Sequence, residues 1–369
     1  MNRLLASSLL MLMAVAPAAA QLVRGRITST TTGTALTGAL VTLEDTLGVA
    51  RVRVVTSASG VYSLFAPGGG RWQLRVAAIG YDPARPRSIT LTALGEVVMD
   101  VAMTARPFQL PAMVVRGKGA RCFPDPVGEP VVLRLMGEAE TALRLVEASI
   151  DSKRLEFVTE AWQNRLLVGS KDTLRGRQRN HVRASWPIAS ADIELLRTRG
   201  FVRDTGGTIP ASGYAENSGP IYYGPDAAVL FAPWFRERHC FTLDQRAGGD
   251  SLVVRFTPRA VAKGTVEVEG SLVFDRRTLA LRRLVFGYVG LPGWVPTKGR
   301  GAGGEIGFTR LESGLWAADH WQMRAPIRLQ RRWGSAAATF GGWAELGGQV
   351  VEMWESGTPG RRPLAGTPL

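Results

Sequence analysis

The sequence predicts a mainly β protein in two parts: a seven-stranded β-sandwich, then an antiparallel, curved-sheet domain with one long helix. Three observations predict it. Apolar residues alternate with polar ones over short runs bounded by Gly and Pro, the period-two pattern of half-buried strands. One stretch alone carries a long helical stripe. The chain is also too long for a single small domain.

The first residues, MNRLLASSLLMLMAVAPAAAQ, read as an export signal. Arg3 supplies the positive start, Leu4 to Ala16 is uncharged and apolar, and Pro17 breaks the run. Ala18-Ala19-Ala20 then fits the small-residue cleavage pattern. Residues 1–20 are therefore expected to be a signal peptide, removed before Gln21. The run is shorter than the ~20 residues that span a bilayer, and no later segment suits that task. A transmembrane chain is not expected.

From Leu22 to Thr104 the alternation is clearest. Ala39, Val41 and Leu43 share one face; so do Trp72, Leu74, Val76 and Ala78, and then Val97, Met99, Val101 and Met103. Gly33, Gly60, the Gly68–Gly70 run and the Pro83–Pro86 stretch mark turns. About seven strands in this space make a small sandwich.

Two segments carry a resemblance. GRITSTTTGTALTGALVTLED (Gly25–Asp45) and SGVYSLFAPGGGRWQLRVAAIGY (Ser59–Tyr81) resemble the opening and the centre of the carboxypeptidase regulatory-like family. The resemblance implies a transthyretin-like sandwich of carbohydrate-binding-like architecture over residues 21–104. Such modules accompany metallocarboxypeptidases and open TonB-dependent outer-membrane receptors. They are generally accessories, so the resemblance implies a place and a fold more than a reaction.

Residues 105–120 carry Pro107, Pro111, Gly117 and Gly119, and read as a linker with a short strand at Ala112–Val115. Residues 121–355 form the second domain. Val132, Leu135, Ala139, Ala142 and Val146, widened by Met136 and Leu143, predict its long helix near Val131–Ala148. A short helix is expected at Ala191–Arg199, capped by Ser190 and ended by Gly200. Strands follow, with one polar face each, as in antiparallel meanders: Val266–Phe274, Leu284–Tyr288 and Trp321–Leu329. This region resembles the C-terminal parts of exported bacterial proteins that carry the same first module. Residues 356–369 read as a disordered tail.

The formal net charge is +14, nearly all of it Arg. It is scattered, and an exported chain rarely meets nucleic acid, so no nucleic-acid partner is expected. An anionic envelope surface is compatible with it. The two cysteines, Cys122 and Cys240, are expected to form a disulfide in an oxidising compartment. In the chain-entropy picture it would stabilise the fold by roughly 4–5 kcal/mol.

No catalytic residue is singled out. His181, His239 and His320 lie in no zinc-hydrolase pattern, and no nucleophile elbow, P-loop or dinucleotide fingerprint occurs. No metal and no cofactor are expected. Six of the ten tryptophans follow residue 290. Of these, Trp294, Trp316, Trp321 and Trp333 are candidates for stacking on a ligand, with core packing as the competing role. The sequence thus reads as a non-catalytic exported binding or scaffold protein of the periplasm or surface of a diderm bacterium, its partner an envelope protein or glycan. Two alternatives stand beside it: a hydrolase of unrecognised type in the second domain, or a shortened relative of TonB-dependent receptors.

Overall fold

The structure is a computed structural model. It describes residues 21–92, 95–108, 129–169, 173–203, 220–244, 249–296, 301–330, 338–356 and 362–363. The signal segment, most of the linker with its expected strand, and Cys122 lie outside the described residues.

The first module contains β1 (Gln21–Ser29), β2 (Leu40–Glu44), β3 (Ala50–Val55), β4 (Val61–Ala66), β5 (Gly70–Ala77), β6 (Arg87–Leu91), β7 (Glu96–Val98) and β8 (Val101–Met103). One sheet runs β3-β2-β5-β6; the other runs β4-β1-β7, with β8 also on β1. The expected alternation is what they bury. Val41, Leu43, Leu74 and Val76 face Val23, Ile27, Tyr62 and Leu64 across a dry interior. The count differs from the expected seven because the last strand is interrupted. The Tyr62 hydroxyl donates to the Met99 carbonyl at 2.8 Å, and the Arg26 amide donates to Asp100 Oδ1 at 2.7 Å. The Asp100 carboxylate thus takes the Arg26 amide out of the ladder, while the Met99 amide still donates to the Arg24 carbonyl at 2.8 Å, and the strand is split into β7 and β8, both parallel to β1.

The second domain opens with α1 (Glu129–Asp151), longer than expected at both ends. Then come β9 (Leu155–Leu167), β10 (Thr173–Arg183), α2 (Ile193–Arg199), β11 (Val202–Arg203), β12 (Ile221–Tyr222), α3 (Ala227–Leu230), α4 (Pro233–Arg238) and β13 (His239–Leu243). They are followed by β14 (Ser251–Pro258), β15 (Glu267–Asp275), β16 (Leu281–Val289), β17 (Gly303–Arg310), β18 (Trp316–Gln330), β19 (Ala338–Glu355) and β20 (Arg362–Pro363). One large sheet has the order β10-β9-β19-β18-β17-β16-β15-β14-β13, with β20 on β19. All its described pairings are antiparallel. Its end strands β10 and β13 do not pair with each other, so the sheet is not closed into a barrel.

The predicted helical stripe is the helix's buried face. Leu135, Ala139, Leu143 and Val146 pack with Val254, Phe256, Leu284 and Ile306 from one side of the sheet. Each fully buried Leu or Val of this kind contributes about 1.5–3 kcal/mol relative to exposure. The Ser149 hydroxyl, on the last turn, accepts the Trp316 amide at 2.9 Å and donates to the Leu145 carbonyl at 2.7 Å. Helix α2 starts two residues later than expected. Asp192 rather than Ser190 caps it, accepting the Glu194 amide, and Gly200 ends it with φ of 75°. The tail departs from expectation at Arg362–Pro363, whose backbone pairs with Glu352 and Met353 of β19.

The two parts share a core. Leu40 of β2 belongs to the same apolar cluster as α1, and Val55 and Ile79 pack against it. The Gly80 amide donates to Glu138 Oε2 at 3.0 Å, Arg134 donates to the Arg106 carbonyl at 2.6 Å, and Arg310 donates to the Thr37 carbonyl at 2.6 Å. Gly38 and Gly314 meet back to back. A Cβ on Gly314 would lie 2.5 Å from the Gly38 Cα, and both residues have positive φ. Helix α1 is therefore clamped between the module and the large sheet.

Candidate functional site

One side of the large sheet packs on α1; the other is polar. Pairing carries a single row across that polar side: Arg177 opposite Trp162, Trp162 opposite Gly347, Gly347 opposite Gln322, Gln322 opposite Glu305. Directly paired residues share a face, with Cβ atoms about 4.5–5.5 Å apart. The rows on either side place Asn164, Glu345 and Arg324 together, and Glu160, Gln349 and His320 together.

Gly347 and Gly348 let β19 pass between two indoles. A Cβ on Gly347 would stand 2.5 Å from Trp162 Cζ2, and one on Gly348 would stand 2.4 Å from Trp321 Cζ2. Successive residues face opposite sides of a strand, so Trp162 covers the polar side and Trp321 the core side. An aromatic ring laid on a strand glycine restores the packing that the missing side chain forfeits.

His320 lies on Gly307 in the same manner. Its Nδ1 is 2.7 Å from Asp319 Oδ1, its Nε2 is 3.5 Å from Glu305 Oε1, and Arg283 reaches Glu305 at 3.3 Å. The Asp319 and Glu305 carboxylates push the imidazole up to about 9. His320 also holds Glu305 below the usual carboxylate range. At neutral pH the ring is thus a cation with both nitrogens engaged. It suits charge pairing better than accepting a proton. Further along, the Arg324 guanidinium lies 4.2 Å from the Trp343 ring centre and pairs with Glu345 at 3.3 Å.

The other histidines are structural or peripheral. His239 is buried, stacked 3.7 Å from Phe235, with its nitrogens within 3.0 Å of the Phe235 and Val268 carbonyls. Burial lowers its pKa. His181 bonds Glu156 at 2.8 Å and packs on Trp354. Among the described residues no group of three His, Cys, Asp or Glu is placed to hold a metal ion. No described helix is long and apolar enough to cross a membrane. In the module, an open cleft of about 470 Å3 lies between the Asp82–Arg87 loop and β8.

Of the four tryptophans chosen from sequence, three lie within the described residues. Trp316 is 2% exposed and sits in the core. Trp321 packs against two apolar clusters. Trp294 is half-buried in the turn after β16, and Trp333 lies outside the described residues. Trp162 is not among the tryptophans chosen from sequence. Its signal was weak: one indole in a strand flanked two residues away by Glu160 and Asn164, matched by a distant Gly-Gly pair. Cys240 is half-buried in β13 opposite Thr257, and no described cysteine is a free thiol.

Residues 22–104 match the carboxypeptidase regulatory-like domain. The first module is similar to that domain. The match takes in β1, apart from Gln21, through β8. No curated protein matches the chain. Among solved structures, the backbone protein of the group B streptococcus pilus 2b shows 14% identity and a TM-score of 0.20, over 23% of this chain and 41% of that one. The minor pilin GBS52 of Streptococcus agalactiae shows 16% identity and a TM-score of 0.21, over 27% of this chain and 48% of that one. The chain thus spans less than half the length of either pilin. A putative membrane-associated protein of unknown function from Bacteroides fragilis shows 13% identity and a TM-score of 0.18, over 90% of this chain and 97% of that one.

Proposed function

We propose that the chain is an exported, non-catalytic scaffold or binding protein of a diderm bacterial envelope, in which the carboxypeptidase regulatory-like module is a fixed accessory. The observation that carries this reading is the clamp on α1. The module shares the apolar core of the second domain through Leu40, Val55 and Ile79. Polar contacts from Thr37, Gly80 and Arg106 fasten its rim. An accessory built in this way holds the large sheet in a fixed attitude, as a spacer or presenting element does. In the same reading residues 1–20 direct export, and Cys122 pairs with Cys240 once the chain reaches an oxidising compartment.

The test is fractionation of cells expressing the whole chain, with sequencing of the product's N-terminus. A product that begins at Gln21 and is released by osmotic shock or salt, without detergent, is expected. A product retained in the cytoplasm with residues 1–20 intact would overturn the reading. So would peptidase or glycosidase turnover abolished by changing a single acidic residue or histidine.

A further inference from the structure

Two indoles on adjacent strands near one end of the large sheet, Trp162 on β9 and Trp343 on β19, have different surroundings. Trp343 is occupied: Arg324 lies over its ring at 4.2 Å and Phe340 meets it at 5.2 Å. Trp162 has one face on Gly347 and, among the described residues, neither a ring nor a guanidinium stacked on the other. Trp321, its counterpart beneath the same glycine pair, belongs to the apolar clusters; Trp162 packs into none of them. A tryptophan needed only to fill space would be surrounded as Trp321 is. Trp162 is ringed instead by Asn164, Gln322 and Gln349, all half-buried. Among the described residues their side-chain amides hold no hydrogen bond. Arg177, directly opposite Trp162, is exposed and has no ion-pair partner among the described residues. The nearby acids are compensated, Glu345 by Arg324 and Glu160 by Arg179 at 4.0 Å.

An open indole face, three carboxamides and one guanidinium, unpartnered among the described residues, define a ligand with matching chemistry. It has a flat apolar face, a rim of hydroxyls and a negative charge. A pyranose presents its axial C–H groups to an aromatic ring and its hydroxyls to amides, which both donate and accept. A carboxylate fits the planar fork of arginine. We infer that Trp162 is the stacking platform of a binding site for a uronate-bearing polysaccharide, with Asn164, Gln322 and Gln349 bonding its hydroxyls and Arg177 its carboxylate. This deepens the proposed binding role and rests on it, because such a polymer is met outside the cytoplasm.

The test is calorimetric titration of the chain from Gln21 to Leu369 with hexamers of galacturonate, glucuronate and mannuronate. Cellohexaose and linear polyphosphate serve as comparisons. At least one uronate should bind. Trp162→Ala should weaken it about tenfold or more, the scale of one lost aromatic contact. Arg177→Gln should weaken uronate binding and leave any cellohexaose binding unchanged. Trp162→Ala also uncovers Gly347, so Trp162→Phe and the rim variants Asn164→Ala and Gln322→Ala provide folded comparisons, expected to weaken binding severalfold at an unchanged melting temperature. Failure of all three uronates to bind the folded chain overturns the inference. Equal binding of cellohexaose overturns it too, as does polyphosphate binding that survives Trp162→Ala. A chain that is exported but binds no glycan leaves the scaffold reading standing and removes this one.

Discussion

Glu138 is where the clamp between module and helix can be measured. It lies on α1, buried, with Oε2 accepting the Gly80 amide at 3.0 Å and Oε1 3.6 Å from Arg134. Arg134 in turn holds the Arg106 carbonyl. Glu138→Ala would leave the Gly80 amide without its acceptor and the buried Arg134 guanidinium without its counter-charge. Breaking a buried pair from one side costs about 3–5 kcal/mol, a large share of a domain's stability. Glu138→Gln keeps an acceptor for Gly80 and loses only the charge, so about 1–2 kcal/mol is expected. The pH dependence carries its own sign. Burial pushes the Glu138 carboxyl above its ordinary value of 4.5, against the pull of the Gly80 amide and of Arg134. The folded chain therefore binds this proton more tightly than the unfolded one. Its contribution is full below the unfolded value and is lost as pH rises through the folded one. Urea unfolding of wild type and both variants between pH 4 and 7 reads all of this. The wild type should lose stability relative to Glu138→Gln as pH rises. A Glu138→Ala variant within about 0.5 kcal/mol of wild type, the range of an ordinary surface change, would refute the clamp. So would an identical pH slope in Glu138→Gln.

Three further outcomes are expected. Gly314→Val forces a side chain into the Gly38 backbone at a positive φ, so calorimetry should show the module and second domain melting separately where wild type gives one transition. His320 is raised to about 9 by Asp319 and Glu305; its stabilising pairs should be intact below its ordinary 6.5 and lost as pH rises through about 9. Its imidazole resonances should titrate there, and His320→Gln should flatten that part of the stability profile. Non-reducing peptide mapping should find the Cys122 and Cys240 peptides joined, and the double Cys→Ser variant should melt lower; two unlinked thiols in protein secreted under oxidising conditions would refute the pairing.

Much of the architecture was legible because it rests on periodicity. Val41, Leu43, Leu74 and Val76 are buried, as their alternation requires. Leu135, Ala139, Leu143 and Val146 form the inner face of α1, as their spacing requires. The errors fell where a side chain competes with the backbone. Asp100 fits the alternation of a strand, yet its side-chain carboxylate takes the Arg26 amide out of the ladder. Ser190 and Asp192 are both good caps, and only the path of the chain decides between them. A local pattern reports which residues prefer to be inside. It does not report which of two adequate hydrogen bonds is made.

The candidate site was less legible because it belongs to a register rather than to a segment. Trp162, Gly347, Gln322 and Glu305 come from four strands, and Arg177 from a fifth. No window of sequence holds more than two of these residues. A count of tryptophans led to residues 294–333, where composition is richest. Position in the sheet sorts them differently: Trp316 and Trp321 are drawn inward, and Trp162 is left facing out. What separates an anchoring indole from a packing one is the company of its free face, and that company is assembled by strand pairing. The Gly347-Gly348 pair is the trace that remains in the sequence. Two successive glycines inside a long strand forfeit packing on both of its sides. The rings that restore it come from neighbouring strands, one dry and one wet, and the wet one has a face left to offer.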